Sequence, residues 1–346
     1  MNVIIADTKS YNINGKSTGH YFAVAHNFCE ALSDNYEVII AGGPIYTTAF
    51  DNYRMLKYDS VEGLPIIVNK YRTIRNTVDV INNNLDSIII LQSNAVVTTF
   101  IGLLFANRHK NVYSIQYNLM ALDSPFKRVI YKLAKSRIHG IICPSDDIGE
   151  AYGNPYCVVP DYLVTKRVIE KVKRPIHKKY DIGIVGIITK DKGVIEAAEA
   201  LARTNLRIII AGYPATEDIC KRLKKACTGS SNIRLVLDYI SDDEYDSYIR
   251  ESRYCVLNYS EAYSTHSSGV VYDILYRGTP IVGKKCRFLN FVEEENIGYV
   301  YEDVMSFDWE QLHNEADDIE LKRKIEEYLM KQLREAEKLS SFLKPK

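Results

Sequence analysis

The chain has 346 residues, 46% of them apolar and 25% charged; the length favours about two domains over one core, and the balance excludes a disordered chain. Lys and Arg total 44, as do Asp and Glu, so the formal net charge is zero and the basic excess of a dedicated nucleic-acid binder is missing. Seven cysteines (Cys29, Cys143, Cys157, Cys220, Cys227, Cys255, Cys286) form no C-x-x-C pair, which reads as buried or free thiols in a reducing compartment, not as a disulfide framework or a zinc site.

At the N-terminus, residues 1–6 enter a strand-like run with no basic leader or cleavage site, so a cytoplasmic protein without a secretory signal is expected. Apolar, β-branched runs then recur at 3–6, 38–41, 88–91, 112–115, 140–143 and 157–159. A second set lies at 182–185, 206–211, 233–237, 254–257, 280–282 and 297–301. Near-continuous runs of this kind suit strands buried on both faces. Helical patterns separate them. Residues 20–32 place Tyr21, Val24, Ala25, Phe28 and Leu32 on one stripe, and 194–201 and 270–275 behave alike.

This alternation predicts an α/β chain of two Rossmann-like domains with parallel sheets, and a ligand cleft outside the strands' carboxyl ends. A Lys- and Arg-rich seam over 165–180 suggests a first domain of 1–168 and a second of 169–310, followed by a helical tail, 311–346, that could pack back on the first. Residues 87–107 are 21 in number and carry no charge, a length that could cross a bilayer. Gln92, Ser93 and Asn94 split that stretch, so a buried strand, a polar loop and a helix from about residue 95 are expected. Over 126–139 the chain holds Lys127, Arg128, Lys132, Lys135 and Arg137 with no acid, beside an apolar stripe of Phe126, Val129, Ile130, Leu133 and Ala134. A core-packed helix with a solvated basic face is the first expectation, and a helix lying on an anionic membrane surface is the second.

Two glycine turns follow first strands. Gly19 ends a loop from residue 8, and Gly186 precedes Lys190, Lys192 and Gly193. Such turns place backbone N–H groups and a helix dipole where an anion would sit, although chain reversal alone would also need glycine. Gly15-Lys16-Ser17 mimics the end of a P-loop, but Ser10 stands where that loop requires its first glycine. Further along, Ser267 or Ser268 can cap a helix running to Gly278, before a strand at Pro280. The N–H groups of Ser268, Gly269 and Val270 could hold a diphosphate, and Asp273, about a turn later, could accept bonds from ribose hydroxyls. An ordinary capped helix with an acid near its positive end is the competing reading.

In order along the second half stand "YDIGIVGIITKDKGVIEAAEAL", "LRIIIAG", "NIRLVLDYISDDEYDSYIRESRYCVLNYS", "SSGVVYDILYRGTPIV" and "NIGYVYED". Together, over about 180–303, they resemble the nucleotide-sugar domain of GT-B-fold retaining glycosyltransferases of the family 4, or group 1, kind. The first half is similar only in its first strand, Gly19, "HGIICPSDDI" and "VVPDYL". The resemblance implies that Lys192 contacts the donor's diphosphate, with Gly186 and Lys190 in the same loop. It implies that Ser268, Gly269 and Val270 hold the diphosphate by their backbone and that Asp273 holds the ribose. Gly19, with His20 beside it, would close on the donor from the first domain.

Departures accompany the resemblance. Ile187 replaces the family's basic residue, for which Lys190 could compensate, and Thr265 replaces the first of its paired glutamates, with His266 or Glu261 as substitutes. Gln116 stands where many members carry histidine; it could position a sugar hydroxyl but cannot act as a base. No Asp-x-Asp triplet occurs, so neither a metal nor a cofactor is expected.

The implied function is transfer, with retention, of a hexose-type sugar from a UDP- or GDP-sugar to a glycan or lipid-linked glycan during cell-surface polysaccharide assembly. The protein would be cytoplasmic or peripheral on the inner face of the plasma membrane. A non-catalytic nucleotide-sugar binder or scaffold, and a nucleotide-sugar 2-epimerase, are the alternatives.

Overall fold

The computed structural model describes residues 2–13, 16–17, 21–46, 50–61, 63–92, 96–160, 162–174, 176–260, 268–313 and 315–343. They form two compact units, 1–165 with 332–346, and 166–331.

The first unit is built on seven strands, β1 (Asn2–Ala6), β4 (Glu37–Gly42), β5 (Tyr53–Met55), β7 (Ile88–Leu91), β8 (Val112–Ile115), β9 (Gly140–Cys143) and β10 (Tyr156–Val158). Three short strands, β2 (Tyr11–Ile13), β3 (Lys16–Ser17) and β6 (Ser60–Val61), make a separate small sheet. In the main sheet the order is β10-β9-β8-β7-β1-β4-β5, and every pair is parallel. Strand alternation sorts its residues onto two faces. Ile4, Ala6, Ile89, Leu91 and Ile141 face the helices Ile66–Asn82, Val97–Phe105 and Pro125–Ala134. Val3, Ile5, Ile88, Ile90 and Ile142 face Val24, Phe28 and Leu32 of the helix Tyr21–Leu32. Leu339 and Leu343, from the end of the chain, join this second face, and Tyr36 donates to the Ser340 carbonyl at 2.8 Å.

The second unit has β11 (Tyr180–Val185), β12 (Ile208–Ala211), β13 (Ile233–Val236), β14 (Ser252–Leu257), β15 (Ile281–Lys284) and β16 (Gly298–Tyr301). Their order is β13-β12-β11-β14-β15-β16, again all parallel. The chain winds outward from β11 through β12 and β13, then returns to place β14 on the other side of β11. This reversal creates a switch point, and an open α/β sheet binds ligands outside the carboxyl ends of the strands there.

Two parallel, helix-covered sheets are therefore what the chain builds. Each of the twelve apolar runs contributes a strand, because a parallel strand covered on both faces has to be apolar nearly throughout. Residues 87–107 give the buried strand β7, the fully buried Gln92 and a nine-residue helix, Val97–Phe105. No described helix is long and apolar enough to cross a membrane.

The helix Pro125–Ala134 differs from its first expectation. It buries Tyr131 and Ala134 and packs Ile130 on the core, but Phe126, Val129 and Leu133 point outward and remain exposed, so only part of the stripe is a core face. Tyr131 takes the inward place instead, packing its ring on Phe100 and Tyr152 at centroid distances of 5.1 and 5.0 Å.

Candidate active site

At the switch point of the second unit, β11 runs into Gly186 and β14 into Asn258. Gly186 has φ +106°, a left-handed backbone that favours glycine. A methyl group placed on it would lie 3.5 Å from Val270 Cγ2, 3.8 Å from Lys192 Nζ and 4.0 Å from Tyr245 Cε2. One backbone turn thus meets a cation, the start of a helix and an aromatic ring. From the neighbouring strand end, Gly212 (φ +153°) packs so closely that a Cβ there would fall 1.8 Å from the Gly186 carbonyl oxygen.

The loop carrying Lys192 is held from two sides. Gly193 takes a left-handed turn (φ +57°), its carbonyl accepts from Asn258 Nδ2 at 2.9 Å, and Tyr301 donates to Asn258 Oδ1 at 3.0 Å. The Ser260 N–H donates to the Asp191 carbonyl at 2.9 Å. Lys192 itself is half-buried, and burial lowers its pKa below the ordinary 10.5. It lines a narrow pocket with Gly186, Val256, Asn258 and Tyr259. An ammonium fixed in such a place attracts a polyanion more strongly than one in bulk water.

Opposite lies the helix Gly269–Leu275. Ser268 is its N-cap residue, but its hydroxyl does not bond back to the helix. Instead it pairs with the buried Tyr259 hydroxyl at 2.7 Å. The expected run to Gly278 stops at Leu275, because Arg277 and Gly278 N–H groups tighten to the carbonyls of Ile274 and Leu275, three residues back. Gly278 (φ +70°) then reverses the chain before β15.

Asp273 is packed closely by its neighbours, yet its side chain keeps 42% of its accessible surface. Tyr245 donates to Asp273 Oδ2 at 3.1 Å, and Arg277 Nη1 bonds the Asp273 carbonyl at 2.8 Å and approaches Oδ1 at 3.4 Å. Arg277 is also anchored by Asp246 at 2.9 Å. Desolvation raises the Asp273 pKa, and Asp242 adds to it; Arg277 and the Tyr245 hydroxyl pull it back. Burial, followed by the Asp273 charge, pushes the Tyr245 phenol far above its usual value. The phenol is therefore a fixed donor.

The structure brings Gly186, Lys192, Ser268, Gly269, Val270 and Asp273 into this one region. Lys190 departs from its expected place: it is exposed and lines a separate pocket with Thr216, Asp218 and Arg222, so it does not fill the position that Ile187 leaves without charge. Gln116, in the first unit, is fully buried. Its amide donates to Ser114 at 3.0 Å and accepts from Tyr152 at 2.9 Å, so it is a packed interior group, not one presented to a sugar hydroxyl. Gly19, His20, Glu261, Thr265 and His266 lie outside the described residues. Sequence reasoning missed Tyr245 and Arg277. Arg277 has a local signal, because it sits four residues after Asp273 on the same helical register; Tyr245 has none.

Residues 166–336 match the family described as glycosyl transferases group 1. The second half of the chain is thus similar to the group 1 glycosyltransferases. The chain also shares its fold with solved structures along nearly its whole length. One is a glycosyltransferase from Rickettsia africae ESF-5, with a TM-score of 0.69, 11% identity and coverage of 99% of both chains. Another is an alpha,alpha-trehalose-phosphate synthase (UDP-forming) from Burkholderia xenovorans in complex with glucose-6-phosphate, with a TM-score of 0.68, 10% identity and coverage of 99% of this chain and 100% of that one. A third is Anabaena HepE in complex with UDP-glucose, with a TM-score of 0.63, 13% identity and coverage of 99% and 100%. At such identities the likeness is one of fold, here the GT-B fold with its two Rossmann-like domains. No curated protein sequence gives a significant match.

Proposed function

We propose that this chain is a glycosyltransferase that takes a sugar nucleoside diphosphate as donor and holds it in the second unit, outside the carboxyl ends of β11 and β14. The carrying observation is the meeting of Lys192 Nζ, Val270 and Tyr245 around the Gly186 turn, with Asp273 held beside it by the Tyr245 hydroxyl. In this reading the diphosphate lies between Lys192 and the backbone of Ser268, Gly269 and Val270, and Asp273 accepts bonds from the ribose hydroxyls. Negative charge grows on the diphosphate as the glycosidic bond breaks. A lysine already fixed and partly desolvated stabilises that charge without reorganising, which is the usual origin of large rate effects.

The proposed reaction transfers a hexose-type sugar with retention. The acceptor hydroxyl attacks from the face that the diphosphate leaves, and a phosphate oxygen of the donor takes its proton, so the protein need supply no nucleophile. Lys192 and the helix start supply the positive charge, and a metal ion is not required in this scheme. The proposed acceptor is a glycan or lipid-linked glycan of a cell surface, met at the cytoplasmic face of the membrane.

The test is a transfer assay with purified protein, UDP- and GDP-sugars and oligosaccharide or polyprenyl-linked acceptors, read by mass spectrometry and by the anomeric proton signal. An α-linked product from an α-linked donor, formed in the presence of EDTA, is expected. An inverted product, or complete loss with EDTA restored by manganese, would contradict the proposal.

A further inference from the structure

The outer face of the Pro125–Ala134 helix is an apolar feature of the first unit. Phe126, Val129 and Leu133 are 66%, 57% and 59% exposed, and just before the helix Met120 is 59% and Leu119 44% exposed. Spacings of three and four residues place the helical trio on one stripe. Leaving such side chains in water forfeits the burial that places Tyr131 and Ala134 inward on the same helix. A contiguous apolar face of this kind marks an interaction surface.

The charges on the helix itself, Lys127, Arg128 and Lys132, are of one sign. Arg128 and Lys132 are exposed, and they line an open pocket with Lys135, Met120 and Leu119. The acid at this pocket, Asp123, is already neutralised by Lys127 at 2.8 Å. Arg128 keeps its guanidinium at the helix start by donating from Nε to the Leu122 carbonyl at 2.8 Å. The chain as a whole carries no net charge, so this basic field is a local construction.

We infer that this face docks the first unit on an anionic lipid surface, with Phe126, Val129 and Leu133 entering the headgroup–acyl boundary and Arg128, Lys132 and Lys135 meeting lipid phosphates. A soluble polyanion would use the basic rim but leave the apolar stripe in water. A neutral apolar protein partner would use the stripe but leave the cations unmatched. An anionic bilayer serves both at once. The inference stands on the first unit alone and does not depend on the donor site.

Flotation with full-length protein and vesicles of equal parts phosphatidylcholine and phosphatidylglycerol tests it, with pure phosphatidylcholine vesicles as the comparison. Binding to the anionic vesicles is expected, weakening with salt and nearly absent on the neutral ones. Joint substitution Phe126→Ser, Val129→Ser and Leu133→Ser is expected to lower the partition constant by roughly 10-fold or more. Arg128→Gln with Lys132→Gln is expected to lower it by roughly 5-fold for each charge lost. Because these side chains point outward, both variants should keep the wild-type melting temperature and nucleoside diphosphate affinity, which separates this result from any failure of the donor site. No binding to anionic vesicles, or binding untouched by the serine triple, would overturn the inference. So would a lipid-free dimer that the serine triple converts to monomer, since a second copy of the chain would then be the occupant of the face.

Discussion

Replacing Tyr245 by phenylalanine removes one oxygen and keeps the ring beside Gly186. The lost contact is the 3.1 Å hydrogen bond to Asp273 Oδ2. A bond to a charged acceptor contributes about 1.5–3 kcal/mol. The Asp273 side chain is 42% accessible and Arg277 remains beside it, so water and the guanidinium recover part of this. The low end applies: about 1–1.5 kcal/mol, or roughly 5- to 12-fold in the affinity for a nucleoside diphosphate. Isothermal titration should compare wild type and Tyr245→Phe with the preferred nucleoside diphosphate and with its 2′,3′-dideoxy analogue. If Tyr245 acts by holding Asp273 for the ribose hydroxyls, the penalty appears with the ribose ligand and largely disappears with the dideoxy one. Equal penalties for both ligands, or none for either, would refute the reasoning.

Other consequences follow from the same region. Desolvation raises the Asp273 pKa, so above the ordinary carboxylate value of 3.8 the folded state holds more protons than the unfolded one, and ionising this group costs stability as pH rises. Asp273→Asn should therefore melt no lower than wild type at neutral pH while losing nucleotide affinity, a comparison made by calorimetry in parallel with titration. Burial lowers the Lys192 pKa, so the folded state holds fewer protons than the unfolded one just below 10.5, and that lysine's burden on stability eases as pH rises. A bound diphosphate needs the ammonium form. Affinity should thus decline as pH climbs towards 10.5, and Lys192→Met should flatten that slope. Gly212→Ala sets a methyl against the Gly186 carbonyl at 1.8 Å and should cost roughly 3 kcal/mol of unfolding free energy by denaturant titration, together with nucleotide binding.

The parts of this molecule visible in its sequence are those set by local chemistry. Strands such as Ile88–Leu91 and Ile208–Ala211 are covered on both faces, so their apolar runs are continuous and unambiguous. Gly186, Gly193 and Gly278 mark positive-φ turns at strand and helix ends, and each is a position where other residues are strained. What stayed hidden depends on distant partners. Tyr245 sits in the helix Asp242–Arg250 among acids, and its role appears only when a residue 28 positions later folds against it. Gln116 follows a strand end, a place usually open to ligands, but Tyr152 closes over it from a helix 36 residues away. The strands Tyr53–Met55 and Ser60–Val61 span three and two residues, too few to show a period. Lys190 and Lys192 look equivalent in sequence; the single turn between Lys190 and Gly193 sends them into different pockets.

The central claim is that Lys192 and the Gly186 turn hold a nucleoside diphosphate. A thermal-shift panel with UDP, GDP, CDP, dTDP and ADP, run on wild type and on Lys192→Ala, tests it most directly. The account predicts that one diphosphate raises the wild-type melting temperature selectively, by mass action on the folded state, and that the alanine variant loses most of this rise while melting normally without ligand. Stabilisation by none of the five, or an equal rise in the variant, would contradict it.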